Sequence, residues 1–188
     1  MVLYFDTETT GLRPGRIIQL SYIMDYGDSV KCKNFYFAVD YIEPGAQRVH
    51  GISVEKLKEL SKGLTFGDHA DEIDEDFSSA DLIVAHNFNF DAAFLSAEFS
   101  YIDRLFRYNA CLDTMRYFTP IMKLPRNGGY KAPKLSELKD YAEVYDYDVT
   151  RFAMENFKGD SGYFHDARFD TAAMYLACRS LKDKIKNI

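Results

Sequence analysis

The sequence predicts an α/β fold in which a mixed β-sheet is flanked by helices. Runs rich in β-branched and aromatic residues come first, at "VLYFD", "RIIQLSYIMDY" and "KCKNFYFAVDY". From "DLIVAH" onwards, short apolar runs alternate with helical patterns. Strands followed by an alternation of strands and helices are typical of a mixed sheet covered by helices.

The first half of the chain supports this prediction element by element. The turn-like "GDS" at residues 27–29 predicts a hairpin between the second and third strands. "GISVEKLKEL" is predicted to be a helix with Ser53 as its N-cap. The acidic stretch over residues 68–81 is predicted to be a solvated helix face. "FDAAFLSAEFSYI" has helical spacing of its apolar residues.

The second half continues the alternation. "CLDTM" is predicted to be a short strand that leads into a helix. A loop containing proline and glycine is predicted over residues 120–134, and one helix over "KLSELKDYAEVY". The last helix is predicted to begin near Asp166, with that residue as its N-cap.

Composition bounds the class of protein. A chain of 188 residues is expected to form one domain, residues 1–188, with a substantial core. No run approaches the roughly 18 apolar residues that a membrane span needs, and "MVLYFD" does not resemble a signal peptide. Three widely spaced cysteines without a CxxC pair favour reduced thiols over zinc or disulfides. A cytoplasmic protein with no membrane partner is therefore expected.

Four acidic residues fall at the ends of predicted elements. Asp6 and Glu8 lie two apart in the first strand and so point to the same face. Asp91 begins the helix after "LIVA", and Asp170 lies in the first turn of the last helix, five residues after His165. Taken singly, each is explained by a solvated acid, a helix-terminus acid or a structural histidine. Strand ends of one sheet can nevertheless gather all four acids.

Gathered carboxylates repel one another and cannot all stay ionised unaided. Two divalent cations would neutralise them, and oxygen-only ligands favour Mg²⁺ or Mn²⁺ over zinc. Two such ions about 4 Å apart can clamp the attacking and leaving oxygens of a phosphodiester displacement. A neutral His165 can then act as the general base toward the attacking water.

Three segments carry a resemblance to a known family. "FDTETTGL", "HNFNFD" and "HDARFD" resemble, in order, the three exonuclease motifs of the DEDDh 3′–5′ exonuclease family. That family includes the epsilon-type proofreading subunits of bacterial replicative polymerases, RNase T and oligoribonuclease. "VHGI", residues 49–52, resembles the short segment that the family carries between its first two motifs. A sister subfamily has tyrosine four residues before the last acid; Asp166 stands there, which indicates the histidine type.

The resemblance implies a ribonuclease H-like fold with a mixed five-stranded sheet between helices. It implies two Mg²⁺ or Mn²⁺ ions and a catalytic set formed by Asp6, Glu8, Asp91, Asp170 and His165. It also implies that the terminal nucleotide is bound by Thr9, Gly11, Leu12, His50, Asn87 and Phe90. For Leu12 and Phe90, a simple core role stays open.

The region between Met115 and Ser136 carries five basic residues and no acid. It is either a solvated loop or a basic loop that contacts phosphates and stacks Tyr130 on a base. If it contacts phosphates, neutralising Lys131 and Lys134 is expected to weaken substrate binding and flatten its salt dependence. The net charge of −6 argues against broad electrostatic binding of nucleic acid, but it leaves room for a small groove. The segment "AEVYDYDV" lacks the glycine that the family is expected to have after the penultimate helix, so the geometry of that loop stays open.

The function that these features predict is metal-dependent 3′–5′ hydrolysis of DNA or RNA to nucleoside 5′-monophosphates. The alternatives are a nucleic-acid-binding or polymerase-associated module with weak catalysis, and a structural domain with incidental acids. The expected partner is a single-stranded 3′ end. The short segment after the last helix leaves a stand-alone nuclease or a subunit held by a DNA polymerase through its own surface. A homodimer, implied by RNase T and oligoribonuclease, also stays open.

Overall fold

The computed structural model describes residues 1–157 and 166–185. Within these residues, five strands form one sheet in the order β3-β2-β1-β4-β5. The strands are β1 (Val2–Thr9), β2 (Ile17–Asp25), β3 (Val30–Tyr36), β4 (Leu82–Ala85) and β5 (Cys111–Asp113). β1 pairs antiparallel with β2 and parallel with β4, so the predicted mixed five-stranded sheet is confirmed.

Helices occupy most of the remaining described chain. They are α1 (Pro44–His50), α2 (Val54–Ser61), α3 (Phe66–Ser79), α4 (Phe88–Tyr101), α5 (Thr114–Met122), α6 (Leu135–Tyr141), α7 (Asp146–Asn156) and α8 (Ala167–Ser180). A two-stranded ribbon, β6 (Pro125–Arg126) and β7 (Gly129–Tyr130), follows α5, and a 3₁₀ turn (Lys182–Lys184) follows α8. Both predicted caps are present, because Ser53 accepts from the backbone of α2 and Asp166 from that of α8.

The sheet separates two cores, and its central strand contributes to both. Because side chains alternate along a strand, Tyr4 packs on the α8 side, where its ring lies 5.2 Å from that of Tyr175. Phe5 packs on the α3 and α4 side, with its ring 5.1 Å from that of Phe77. Asp6 and Glu8 continue the Tyr4 face beyond the apolar core.

The acidic helix α3 differs from the sequence prediction. Asp74 is buried and accepts bonds from Arg104 and Arg107, at 2.7 and 2.9 Å. Asp76 pairs with Lys33 on the edge strand β3. The prediction of a solvated acidic face is therefore wrong for these two carboxylates. Their charges balance cations from other elements, which a one-dimensional charge run cannot reveal.

The region after α5 also differs from the prediction. The loop over residues 120–134 contains the β6–β7 ribbon. The single helix predicted over "KLSELKDYAEVY" ends at Tyr141, and α7 is a separate helix. Glu143 interrupts the run with a left-handed φ of 57°, a conformation that glycine adopts without strain. In the described part of the chain, no helix is long and apolar enough to cross a membrane.

Candidate active site

Asp6 and Glu8 lie side by side near the end of the central strand. Their neighbour β2 carries an irregularity at this point, because Glu8 pairs with Gln19 while Thr9 pairs with Ile17. Ile18 is therefore an extra residue in β2, as in the β-bulges that are common beside functional sites. The two acids thus stand where regular sheet pairing ends.

Asp170 reaches the same place from α8. This helix packs across β1 and β2, and Asp170 lies in its first turn. One carboxylate oxygen from each of Asp6, Glu8 and Asp170 lies within 4.8 Å of the others. A strand and a helix that are far apart in sequence therefore place three acidic oxygens in one small volume.

Asp91 approaches from the opposite side of the sheet. It lies in the first turn of α4 and is 3% exposed. Thr7, whose side chain points away from those of Asp6 and Glu8, donates from Oγ1 to Asp91 Oδ1 at 2.6 Å. Asp91 is not a member of the three-residue oxygen cluster, but it is the neighbouring charge that acts most strongly on Asp6.

Burial and mutual repulsion make these carboxylates hard to ionise. Burial, followed by the charges of Asp91, Asp170, Glu8 and Asp166, raises the pKa of Asp6 well above its usual range. Burial and the neighbouring acids raise the pKa of Glu8 to about 9. Burial raises the pKa of Asp91 to about 7, although the Thr7 hydrogen bond lowers it. A cation placed among them would relieve these penalties.

The donor set fits Mg²⁺ or Mn²⁺. Its ligand atoms are all carboxylate oxygens, which hard divalent cations prefer. The charges that raise the pKa of Asp6 are likewise carboxylates, so they do not neutralise it. The cluster therefore has both the ligand chemistry and the excess negative charge that a divalent cation requires.

A buried polar network fixes the start of α8 behind the cluster. Asp166 accepts from Arg168 Nε at 2.9 Å and from Arg168 Nη2 at 2.7 Å. Gln19 Nε2 donates to the same carboxylate at 3.0 Å, and Gln19 Oε1 accepts from the backbone of Ala167. β2 is thereby bonded to the N-terminus of α8, at Asp166 and Ala167, just before Asp170.

A pocket of about 370 Å³ opens beside the acids. Five of the six residues predicted to bind nucleotide line it: Thr9, Gly11, Leu12, His50 and Phe90. Leu12 is 85% exposed, so the core alternative is wrong for this residue. Phe90 is partly buried, with its ring 5.0 Å from that of Phe94, so it both packs on the core and lines the pocket.

Two polar details shape this pocket. The backbone N–H of Ile52 donates to His50 Nδ1 at 3.1 Å, so a neutral ring carries its proton on Nε2. A Cβ at Gly11 would collide with the Glu43 carboxylate, so a larger residue there would require this exposed side chain to move. Glu43 therefore forms part of the pocket wall through its contact with the "TTGL" segment.

Two predicted residues stand apart from this arrangement. Asn87 is exposed, adopts a left-handed φ of 73°, and donates from its backbone to Asp113 Oδ1 at 3.1 Å. It is not among the described residues that line the pocket. His165 lies outside the described residues, so its predicted role rests on the sequence alone.

Thr7, Glu43 and Asp113 were not predicted from the sequence. The sequence could have indicated Thr7, because this residue lies between two predicted metal ligands and points to the opposite face of the strand. It could have indicated Asp113 as well, because an acid directly before a helix is a preferred N-cap; here it accepts from Met115 N at 3.0 Å. Glu43 had no such signal, since its position depends on contact with Gly11.

Comparison with known proteins assigns the class. A family model described as exonuclease, RNase_T, matches residues 3–171. The chain therefore belongs to this exonuclease family, which confirms the predicted relationship.

The relatives agree with that assignment. DNA polymerase III subunit epsilon of Rickettsia felis is 37% identical over 126 residues, covering 60% of this chain and 52% of the relative. The Rickettsia conorii subunit is 40% identical over 111 residues, covering 54% and 45%. The chain thus spans about half the length of these curated relatives.

Solved structures confirm the fold. E. coli Exonuclease I in complex with a dA16 oligonucleotide superposes with a TM-score of 0.72 at 20% identity, covering 97% of this chain and 40% of that one. The nuclease domain of 3′hExo, a DEDDh family member bound to rAMP, has a TM-score of 0.65 at 13% identity, covering 97% and 92%.

Proposed function

We propose that the protein is a metal-dependent 3′–5′ exonuclease that shortens DNA or RNA and releases nucleoside 5′-monophosphates. The observation that carries this proposal is the double position of Glu8. Its carboxylate belongs to the acidic cluster with Asp6 and Asp170, and it also lines the 370 Å³ pocket. A nucleotide in the pocket would therefore place its phosphodiester beside the acids.

Asp6, Glu8, Asp91 and Asp170 would hold two Mg²⁺ or Mn²⁺ ions. When bound, such ions polarise the phosphate and favour ionisation of the attacking water. The protein's own part is to present the oxygens already gathered. Thr7 supports this by donating to Asp91, since a hydrogen bond to a carboxylate favours its ionised form.

The pocket residues would position the 3′-terminal nucleotide. Leu12 exposes most of its side chain and Phe90 part of its ring, so an unstacked base can pack between apolar surfaces. Gly11 permits close approach of the backbone. His50 can donate a hydrogen bond from Nε2. His165, which directly precedes the anchored Asp166 in the sequence, would take the proton of the attacking water.

The test is degradation of 5′-labelled single-stranded DNA and RNA oligomers with Mg²⁺ or Mn²⁺. Wild type is expected to give a ladder that shortens from the 3′ end and disappears with chelator. Glu8→Gln should abolish it, whereas the matched control Glu75→Gln, on the exposed face of α3, should not. Intact oligomers with folded wild type, or an undiminished ladder with Glu8→Gln, would refute the proposal.

The same assay addresses the open alternatives. Tight binding without cleavage would instead support a catalytically weak binding module. The faster-degraded oligomer would identify the preferred nucleic acid. We further propose a DNA polymerase as a partner, on the basis of the subunit names of the relatives. The homodimer stays a prediction, which light scattering of the purified protein would test.

A further inference from the structure

A basic surface lies outside the pocket. We name residues 123–134, which contain β6 and β7, the basic ribbon. Lys123, Arg126 and Lys134 are exposed there, and Tyr130 is 54% exposed. This concentration of cations is local, because the chain as a whole carries a net charge of −6.

The ion pairs of the ribbon show which of its charges are available. Lys131 pairs with Glu137 at the start of α6, so its charge is already balanced. Lys123 and Arg126 make no ion pair among the described residues. Lys123, at the start of the ribbon, and Arg126, in β6, are therefore available to bind a polyanion, whereas Lys131 is not.

One hydrogen bond attaches the C-terminal end of the ribbon to the segment between β4 and α4. His86, directly after β4, contacts the carbonyl oxygen of Pro133 through Nε2 at 3.0 Å and Thr114 Oγ1 through Nδ1 at 2.9 Å. Because the carbonyl can only accept, Nε2 carries the proton. His86 lies five residues before Asp91, so the ribbon is anchored at the same edge of the sheet as the cluster.

We propose that the basic ribbon binds the nucleic-acid strand on the 5′ side of the terminal nucleotide, an inference that rests on the proposed exonuclease function. If the pocket takes the 3′-terminal nucleotide as proposed, the next phosphates must leave it along the surface. The acidic cluster would repel those phosphates, and Lys123 and Arg126 would offset the repulsion. Tyr130 offers a ring face on which a base can stack.

The first experiment measures binding of a fluorescent single-stranded 12-mer in chelator, at several salt concentrations. Lys123→Gln/Arg126→Gln is expected to weaken binding at low salt by tenfold or more, as an order of magnitude. The slope of log affinity against log salt should become shallower by about 0.7 for each phosphate that the variant no longer neutralises. Tyr130→Ala should weaken binding by roughly fivefold or more without changing that slope.

The matched control is Lys31→Gln/Lys182→Gln, which removes the same number of charges. Lys31 pairs in register with Met24, and Lys182 lies near Val2, so both are at the opposite end of the central strands. This variant should bind like wild type. As a second readout, the ribbon variant should raise KM for the 12-mer but leave kcat and the KM for a dinucleotide unchanged.

The outcomes separate this inference from the proposed function. Equal affinity and salt slope in the ribbon and control variants would overturn the inference, even if the enzyme degrades oligomers. If wild type degrades nothing but its 12-mer binding depends on Lys123 and Arg126, the ribbon's binding role stands and the exonuclease proposal fails.

Discussion

Replacing Thr7 by valine tests how the protein tunes its fourth acid. Valine keeps the shape of threonine but removes the hydroxyl that donates to Asp91 Oδ1 at 2.6 Å. Both residues are buried, so water cannot readily replace the missing donor. Burial raises the pKa of Asp91 to about 7, and the Thr7 hydrogen bond lowers it. Without that bond, the pKa of Asp91 in Thr7→Val should be higher still.

The size of the effect follows from the strength of that bond. A hydrogen bond to a charged group contributes about 1.5–3 kcal/mol, and each 1.36 kcal/mol is a factor of ten in ionisation. The ionisation constant of Asp91 should therefore be about 10- to 100-fold smaller in Thr7→Val than in wild type. The half-saturating Mg²⁺ concentration near pH 7 should rise by a similar factor, since metal binding requires the carboxylate.

The assay is oligomer degradation against Mg²⁺ concentration at pH 7 and pH 8.5. The difference in half-saturating Mg²⁺ concentration between Thr7→Val and wild type should be smaller at pH 8.5, because a larger fraction of Asp91 is ionised there. Thr7→Ser keeps the hydroxyl and should restore the wild-type metal requirement. In chelator, Tm should fall by about 2–4 °C for each 1 kcal/mol of stability removed, as for other domains of this size.

Unchanged half-saturating Mg²⁺ in a folded Thr7→Val protein would refute this reasoning. It would show that Asp91 is ionised by its surroundings without help from Thr7.

Three further changes probe separate features. Glu143→Gly should raise the free energy of unfolding in urea by about 0.5–1 kcal/mol, because glycine adopts the left-handed φ without strain; no gain would show that Glu143 is unstrained there. Arg168→Met should lower the free energy of unfolding by about 3 kcal/mol, because the Asp166 carboxylate loses its guanidinium partner. Adding Asp166→Asn should recover part of that loss, and no recovery would contradict the reasoning. The pKa of Glu8 is about 9 in the folded protein against an ordinary value of 4.5, so between these pH values the native state binds more protons than the unfolded state. The stability of the metal-free protein should therefore fall as the pH rises from 4.5 to about 9. Glu8→Gln should flatten the fall in Tm measured in chelator, and the same slope in both proteins would exclude Glu8 as its source.

Local signals predicted much of the fold and of the site. The two-residue spacing of Asp6 and Glu8 indicated their common face, and the caps at Ser53 and Asp166 set the starts of two helices. These features depend on residues that are close in sequence. They were therefore readable without knowledge of the tertiary contacts.

The features that were missed depend on distant contacts. Helix α1 has no apolar stripe to reveal it, and the turn at Glu143 became visible only through its backbone conformation. The buried position of Asp74 depends on arginines some 30 residues away in sequence. Glu43 became part of the pocket only because the chain brings it against Gly11.

Helix α1 forms one wall of the pocket but contributes little to the core. None of its seven residues, all within the described part of the chain, is fully buried, yet four residues from Gly45 to His50 line the pocket. Substitutions there remove little core packing, so they should be close to neutral for stability. The acids, by contrast, lie on a central strand and two long helices, so the packed core fixes their positions. The lining of the pocket can therefore vary without displacing the acids beside it.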